Sequence, residues 1–242
     1  MGAQALLAEA VEAQGGAAYD GASEITARVR CGGWAFPMRF KRGALSNFTG
    51  TVSTSEPRTV LSPYPGPGRR GVFDRGAVRI ETDAGEVVAE RSDPRPAFRR
   101  FRRNIWWDDL DLLYFGGYAL WGYLNAPFMF RRPGFELEEI EPWREDGETW
   151  RGLRVRFPDD IPAHSREQLY YFDDRGLIRR NDYTAEVFGS WAKATHYCWD
   201  HERFDGLVVP TRRKAMVRRR SGKPLRQVVV VSIAIDEVAA QR

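Results

Sequence analysis

Within the segment KATHYCWDHERF (193–204), His196, Cys198, Asp200 and His201 stand close together. Three chemistries use such a set: a metal centre, a thiolate–imidazole nucleophile, and acid–base work by an imidazole. A zinc site needs three or four convergent ligands. Along an extended chain, successive side chains alternate faces. His196, Cys198 and Asp200 would therefore share one face and His201 the other, and no metal is expected. Alternate residues on one strand are held apart, and no cysteine-enzyme signature surrounds Cys198, which disfavours a nucleophilic pair. Acid–base chemistry stays open. Asp182 and Tyr183 lie in the preceding strand-like segment, and pairing of the two segments would set Tyr183 and His196 on either side of one polar spot. Tyr183, His196 and Asp182 are therefore the candidate catalytic residues, provided that a substrate comes within hydrogen-bond reach. Each is equally readable as a buried polar group satisfied by its neighbours. His164, in FPDDIPAHS (157–165), is expected at the surface. Gly66, Gly68 and Gly71 lack the strand–turn–helix setting and the lysine of a phosphate loop, so no nucleotide is expected, nor any other cofactor.

Ligand binding has a second source. Residues 112–130, LLYFGGYALWGYLNAPFMF, form a 19-residue run without charge, in a chain of which 29% is charged. Seven of its side chains are aromatic: Tyr114, Phe115, Tyr118, Trp121, Tyr123, Phe128 and Phe130. A membrane-spanning helix needs about 18 or more apolar residues, so the length barely qualifies. Three glycines, three tyrosines, Asn125 and Pro127 argue against spanning. A helix apolar all round is buried on all sides. Phenol, indole and amide groups on such a helix supply both apolar wall and hydrogen bonds to a small molecule. The residues expected to line a ligand cavity are Trp107, Tyr114, Tyr118, Trp121, Tyr123, Asn125 and Phe128, with Tyr183 and His196 facing them from the sheet.

The flanking text is strand-like. Between 24 and 91, short β-rich segments (24–31, 34–42, 44–54, 57–62, 69–74, 77–82, 86–91) alternate with Gly, Pro and Asp turns, the pattern of an antiparallel meander. Segments at 135–143, 150–157, 166–173, 176–184, 193–204, 207–217 and 226–238 repeat it. Residues 3–14 read as a short amphipathic helix ended by Gly15-Gly16. The text at 94–103 reads as a basic helix. A second helix over 109–125 has Asp108 or Asp109 as its N-cap and acidic residues in its first turn, and Pro127 stops it. The fold class is mainly β: one domain, 1–242, with a helical insert at about 94–126.

The net charge is +4, with 37 basic and 33 acidic residues interspersed. A nucleic-acid face would gather its basic residues, so no nucleic-acid partner is expected. Contact with an anionic membrane surface, through the run Arg99 to Arg103 and the nearby aromatics, stays open. Two distant cysteines make no disulfide framework. The N-terminal segment carries Glu9 and Glu12 and no basic n-region, and Leu6 breaks the myristoylation pattern. A cytoplasmic location is expected.

The C-terminal half carries a resemblance. YYFDDRGLIRRNDYTAE (170–186) and THYCWDHERFDGLVVPTRRKA (195–215), with Phe204, Gly206, Pro210 and Thr211 in the second, resemble the strand grammar of the LolA/LolB-like superfamily, over about 155–240. The layout is similar to that of a bacterial, cytoplasmic member. The resemblance implies a strongly curved antiparallel half-barrel whose concave face is plugged by helices. In the lipoprotein carriers of that superfamily the concave side holds acyl chains, and the fold also serves a violacein-pathway enzyme acting on an aromatic intermediate. The expected function is binding or carriage of a hydrophobic or aromatic small molecule or an acyl chain. The alternatives are a cofactor-independent enzyme on an aromatic or polyketide-like intermediate, and a peripheral membrane protein.

Overall fold

Turns rich in Gly and Asp divide the described residues into thirteen strands, and hydrogen bonding joins them into one antiparallel sheet. The computed structural model describes residues 2–100 and 105–242. The first block comprises β1 (Glu24–Gly32), β2 (Phe48–Ser53), β3 (Arg58–Ser62), β4 (Arg69–Asp74), β5 (Ala77–Thr82) and β6 (Val87–Arg91). The second comprises β7 (Glu136–Glu145), β8 (Glu148–Arg156), β9 (Glu167–Phe172), β10 (Ile178–Thr184), β11 (Lys193–Phe204), β12 (Leu207–Arg218) and β13 (Pro224–Gln241). Each block is a meander. The two join where β1 pairs with β13, from Glu24↔Gln241 to Gly32↔Ser232. The sheet order runs from β6 through β1 and β13 to β7, leaving β6 and β7 as its edges. Register shifts occur within the β1–β13, β5–β6, β7–β8, β9–β10 and β12–β13 pairs. Bulges of this kind bend a strand and raise its twist. The result is an open, curved half-barrel with its helices on the concave side.

Helix α1 (Ala3–Ala13) buries Leu6, Leu7, Ala10 and Val11 near β7 and β8, and the short α2 (Gly16–Asp20) follows it. Helix α3 (Asp109–Asn125) crosses from β6 to β7. Its first turn is closed by a reciprocal cap. Asp111 N–H donates to the Asp108 carboxylate at 2.9 Å, and Asp108 N–H donates to that of Asp111 at 3.0 Å. Arg91 of β6 grips both carboxylates at 2.7 Å, which neutralises an Asp111 that is fully buried. The α3 backbone lies close on the first block because glycines remove the side chains between them. A Cβ on Gly117 would fall 2.4 Å from Phe73 Cβ, and one on Gly50 would fall 2.3 Å from Leu120 Cδ2. Among the described residues no helix is long and apolar enough to cross a membrane.

The sheet also has a small outer core. Trp143, Tyr171 and Tyr197 surround Arg180, whose guanidinium carbon lies 4.2 Å from the Trp143 ring centroid and whose partner Asp182 is 2.7 Å away. Two expectations are corrected. The segment 34–42 is no strand: Pro37 has no N–H for a ladder, and it opens a 3-10 turn, Pro37–Arg39. Only the start of the segment stays tied to the sheet, through Trp34 N–H to Val229 O at 3.2 Å and Ala35 N–H to Val230 O at 2.9 Å. The helix expected over 94–103 is a 3-10 turn at Arg95–Arg99, and residues 101–104 lie outside the described residues.

Two of the three glycines in α3 give opposite expectations. Gly117→Ala forces Phe73 or the helix to move and should lower unfolding free energy by about 1–3 kcal/mol. A Cβ at Gly122 meets nothing within 4 Å, so Gly122→Ala should raise it by about 0.5–1 kcal/mol. Urea unfolding of the two variants checks the packing, and equal effects would contradict it.

Candidate functional site

Strand alternation sorts the residues of β10 and β11. Asn181 and Tyr183 point to the concave side, as do His196 and Cys198, whereas Arg180, Asp182 and Tyr197 point to the outer core. The connection between β8 and β9 carries His164 beneath α3, where it is only 4% exposed. Its Nδ1 is 3.2 Å from the Tyr118 hydroxyl and its Nε2 is 2.8 Å from that of Tyr123. Its ring stacks on Tyr183, with centroids 4.0 Å apart and planes within 6°. Tyr123 meets His196 edge to face at 4.7 Å. Arg213 donates to the Tyr123 carbonyl at 3.1 Å. Neither ring nitrogen of His196 has a hydrogen-bond partner among the described residues.

Burial controls the charge state here. Desolvation, aided by the nearby Arg95 charge, lowers the pKa of His164 to about 3. Desolvation, then Arg213 and His164, takes His196 well below the usual imidazole range. Burial raises the phenols of Tyr118, Tyr123 and Tyr183. The cluster is thus a set of neutral rings at neutral pH. A neutral imidazole offers one donor and one acceptor, and Tyr118 and Tyr123 occupy both edges of His164. Its stacked ring with Tyr183 presents an uncharged surface.

That surface lies in a cavity of about 220 Å³. Phe115 of α3 and Phe188 of the β10–β11 loop form part of its wall. Ala194, Ala215 and Val230 of the strands form another part, and their small or branched side chains leave the space unfilled. Met38 and Trp191, 58% and 74% exposed, flank the mouth. Arg39 also lines the cavity although it is only 6% exposed.

Of the expected residues, Tyr183 lines the cavity. Tyr118 and Tyr123 reach the cavity-lining His164 from behind without lining the space themselves, and His196 lies against Tyr123. Trp107 packs behind the wall, 5.5 Å from Phe115 and 4.8 Å from Phe188 between ring centroids. Tyr114 turns its hydroxyl to Arg95 at 3.3 Å. Trp121 donates to Ser53 O at 2.9 Å, and Asn125 bonds Ser53 O, Trp121 O and the Tyr19 hydroxyl. Phe128 stacks on Tyr19 at 4.2 Å. These last three residues belong to the packing of the far end of α3. Asp182 is separated from Tyr183 and His196 by the sheet itself and pairs with Arg180 and Arg218. The surface position expected for His164 is corrected: the loop folds inward because two phenols satisfy its ring nitrogens. Sequence reading also passed over Phe188 and Arg39. The signal for them was weak: bulky side chains in turn-rich text without periodicity.

Solved structures share this fold. A LolA superfamily protein of Nitrosomonas europaea aligns over 100% of this chain and 94% of its own, with a TM-score of 0.54 and 13% identity. A DUF1329 family protein of Desulfovibrio piger aligns over 98% and 92%, at 0.53 and 12%. A Vibrio parahaemolyticus domain described as belonging to an outer membrane lipoprotein-sorting protein aligns over 99% and 93%, at 0.52 and 9%. No family model and no curated protein matches the chain. The fold is LolA-like.

The buried imidazole makes stability depend on pH. The His164 pKa is depressed from about 6.5 in the unfolded chain to about 3 in the folded one. Its neutral burial therefore stabilises fully above about pH 6.5 and progressively less as pH falls towards 3. The slope approaches 1.4 kcal/mol per pH unit at most, about one proton's worth. Between about pH 7 and about pH 4.5, wild type should lose more unfolding free energy than His164→Gln. Parallel denaturation curves at the two pH values would show that the imidazole is not held neutral.

Proposed function

We propose that the protein binds and carries a hydrophobic small molecule, an aromatic compound or a short acyl chain, in the cavity beside His164 and Tyr183. The observation that carries this reading is the cavity itself. It is bounded by Phe115, Phe188, Ala194, Ala215 and Val230, with a neutral stacked His164–Tyr183 pair and the Arg39 side chain among its polar features. Apolar cavities of about 150 Å³ accept benzene, so about 220 Å³ suits a ring with a short substituent or a few methylenes. Small-molecule sites combine such apolar walls with a few placed polar groups. The exposed Met38 and Trp191 flank the way in. The LolA-like fold supports the reading, since a structural relative is described as belonging to a lipoprotein-sorting protein.

Binding is favoured over turnover by the state of the polar groups. His164 has both nitrogens engaged by tyrosines and a strongly lowered pKa, which leaves it poorly matched to proton transfer near neutral pH. Tyr183 is shifted the other way.

Organic extraction and native mass spectrometry of the purified protein should reveal a co-purifying apolar molecule. Ala215→Phe places a ring in the cavity and should abolish retention while a cooperative thermal transition persists. Retention unchanged in that variant would remove the cavity as the binding site. Recovery of a chemically altered ligand after incubation would instead favour catalysis.

A further inference from the structure

Arg39 is the unusual wall of this cavity. It comes from the 3-10 turn Pro37–Arg39 and is 94% buried, being only 6% exposed. A guanidinium carries five N–H donors and keeps its charge in proteins. Here one donor, Nη1, reaches the Met38 carbonyl, at a long 3.4 Å. The Nε–H is buried and has no hydrogen-bond partner among the described residues. No carboxylate pairs with Arg39 among the described residues. Its guanidinium carbon lies 5.1 Å from the Phe188 ring centroid and 5.9 Å from that of Trp107. Ring faces attract a cation but accept none of its hydrogen bonds in the plane of the fork. The acids two residues along the chain from Trp107 and Phe188, the ring partners of Arg39, are engaged elsewhere: Asp109 pairs with Lys41 at 2.6 Å, and Glu186 pairs with Arg95 at 2.6 Å. Lys193, exposed and on the same cavity, adds a second cation.

A buried charge without counter-charge is ordinarily avoided. Here the missing partner has a place to sit, because the charge lines an open apolar space. Resting on the reading of this cavity as a ligand site, we infer that the ligand is an apolar monocarboxylic acid, held with its hydrocarbon or aromatic body in the cavity and its carboxylate on the Arg39 fork. A guanidinium meets a carboxylate in a planar two-bond geometry, and the apolar walls exclude water from that contact. Lys193 is exposed and its charge stays solvated, whereas the buried Arg39 lacks a counter-charge; one buried guanidinium matches one negative charge, which favours a carboxylate over a doubly charged phosphate monoester.

Isothermal titration with octanoate, methyl octanoate and octyl phosphate, and with 2-naphthoate and its methyl ester, tests the assignment. Each acid should bind at least about tenfold more tightly than its ester, the ratio of a 1.4 kcal/mol difference. Arg39→Met should abolish that preference while leaving ester binding intact. It should also melt at or above the wild-type temperature, since an apolar side chain of similar length replaces an uncompensated buried charge. Arg39→Lys should retain part of the preference. Esters binding as tightly as acids would overturn the carboxylate assignment and leave the cavity reading standing. Octyl phosphate binding more tightly than octanoate would also overturn it. Failure of every probe to bind would remove the cavity reading and the assignment together. If Arg39→Met does not fold, the wild-type acid-to-ester ratio and Arg39→Lys decide the matter.

Discussion

A helix that is apolar on every side has to be enclosed, and the enclosure of α3 governs how the sheet is built. The first block approaches it closely, with glycine at Gly50 and Gly117 where backbone and side chain would otherwise collide. The start of the helix is held by an ionic knot, Arg91 across Asp108 and Asp111, which fixes where the insert leaves β6. A curved sheet cannot follow one straight helix along its whole width. The second block therefore stands off from α3, and the gap between Phe115 and the alanines of β11 and β12 is the cavity. The space is a consequence of geometry: a tight contact on one half of the half-barrel and small residues on the other.

The interior polar groups follow the same logic. Tyr118 and Tyr123 sit on the side of α3 that faces the second block, and His164 is drawn under the helix to meet their hydroxyls. Buried polar groups are tolerated when they are hydrogen-bonded, and His164 satisfies that condition while staying neutral. His196 and Arg39 do not reach it. Among the described residues they are places where buried hydrogen-bonding capacity stays unused, as is the Nε of Arg213.

Much of this was legible in the residues. The cap at Asp108, the acidic first turn and the stop at Pro127 delimit α3, and the turn residues mark most strands. The resemblance of 170–186 and 195–215 to LolA-like strand text pointed to the fold that the coordinates show. The face of α3 that meets the cavity was not legible, because a helix without a polar side carries no orientation in its sequence. That is why Trp121 and Asn125 read as equals of Tyr118 and Tyr123, although the first two pack against Ser53 and Tyr19 and the other two reach His164, while Phe115 is the α3 side chain on the cavity wall. Grouping Asp182 with Tyr183 and His196 as candidate catalytic residues overlooked strand alternation, which parts neighbours on a strand: Asp182 turns outward to Arg180. The segment 34–42 misled for a local reason: its apolar alternation is that of a strand, and one proline cancels it. His164 misled for a non-local one, since nothing near it in the chain announces the phenols that draw it inward.

The pairing of β1 with β13 has a temporal meaning. The strand that completes the first block's ladder is the last of the thirteen to be synthesised, some two hundred residues after its partner. Until residues 224–241 have left the ribosome, β1 presents an unsatisfied edge, and the two halves of the future half-barrel remain separate hairpin arrays. Contacts of such sequence separation form slowly because the closing loop is long. An unpaired edge is a template for association with other chains. The nascent protein thus passes through a stage in which its central seam is open, which makes the interval before β13 emerges the one in which this chain most depends on being kept apart from its neighbours.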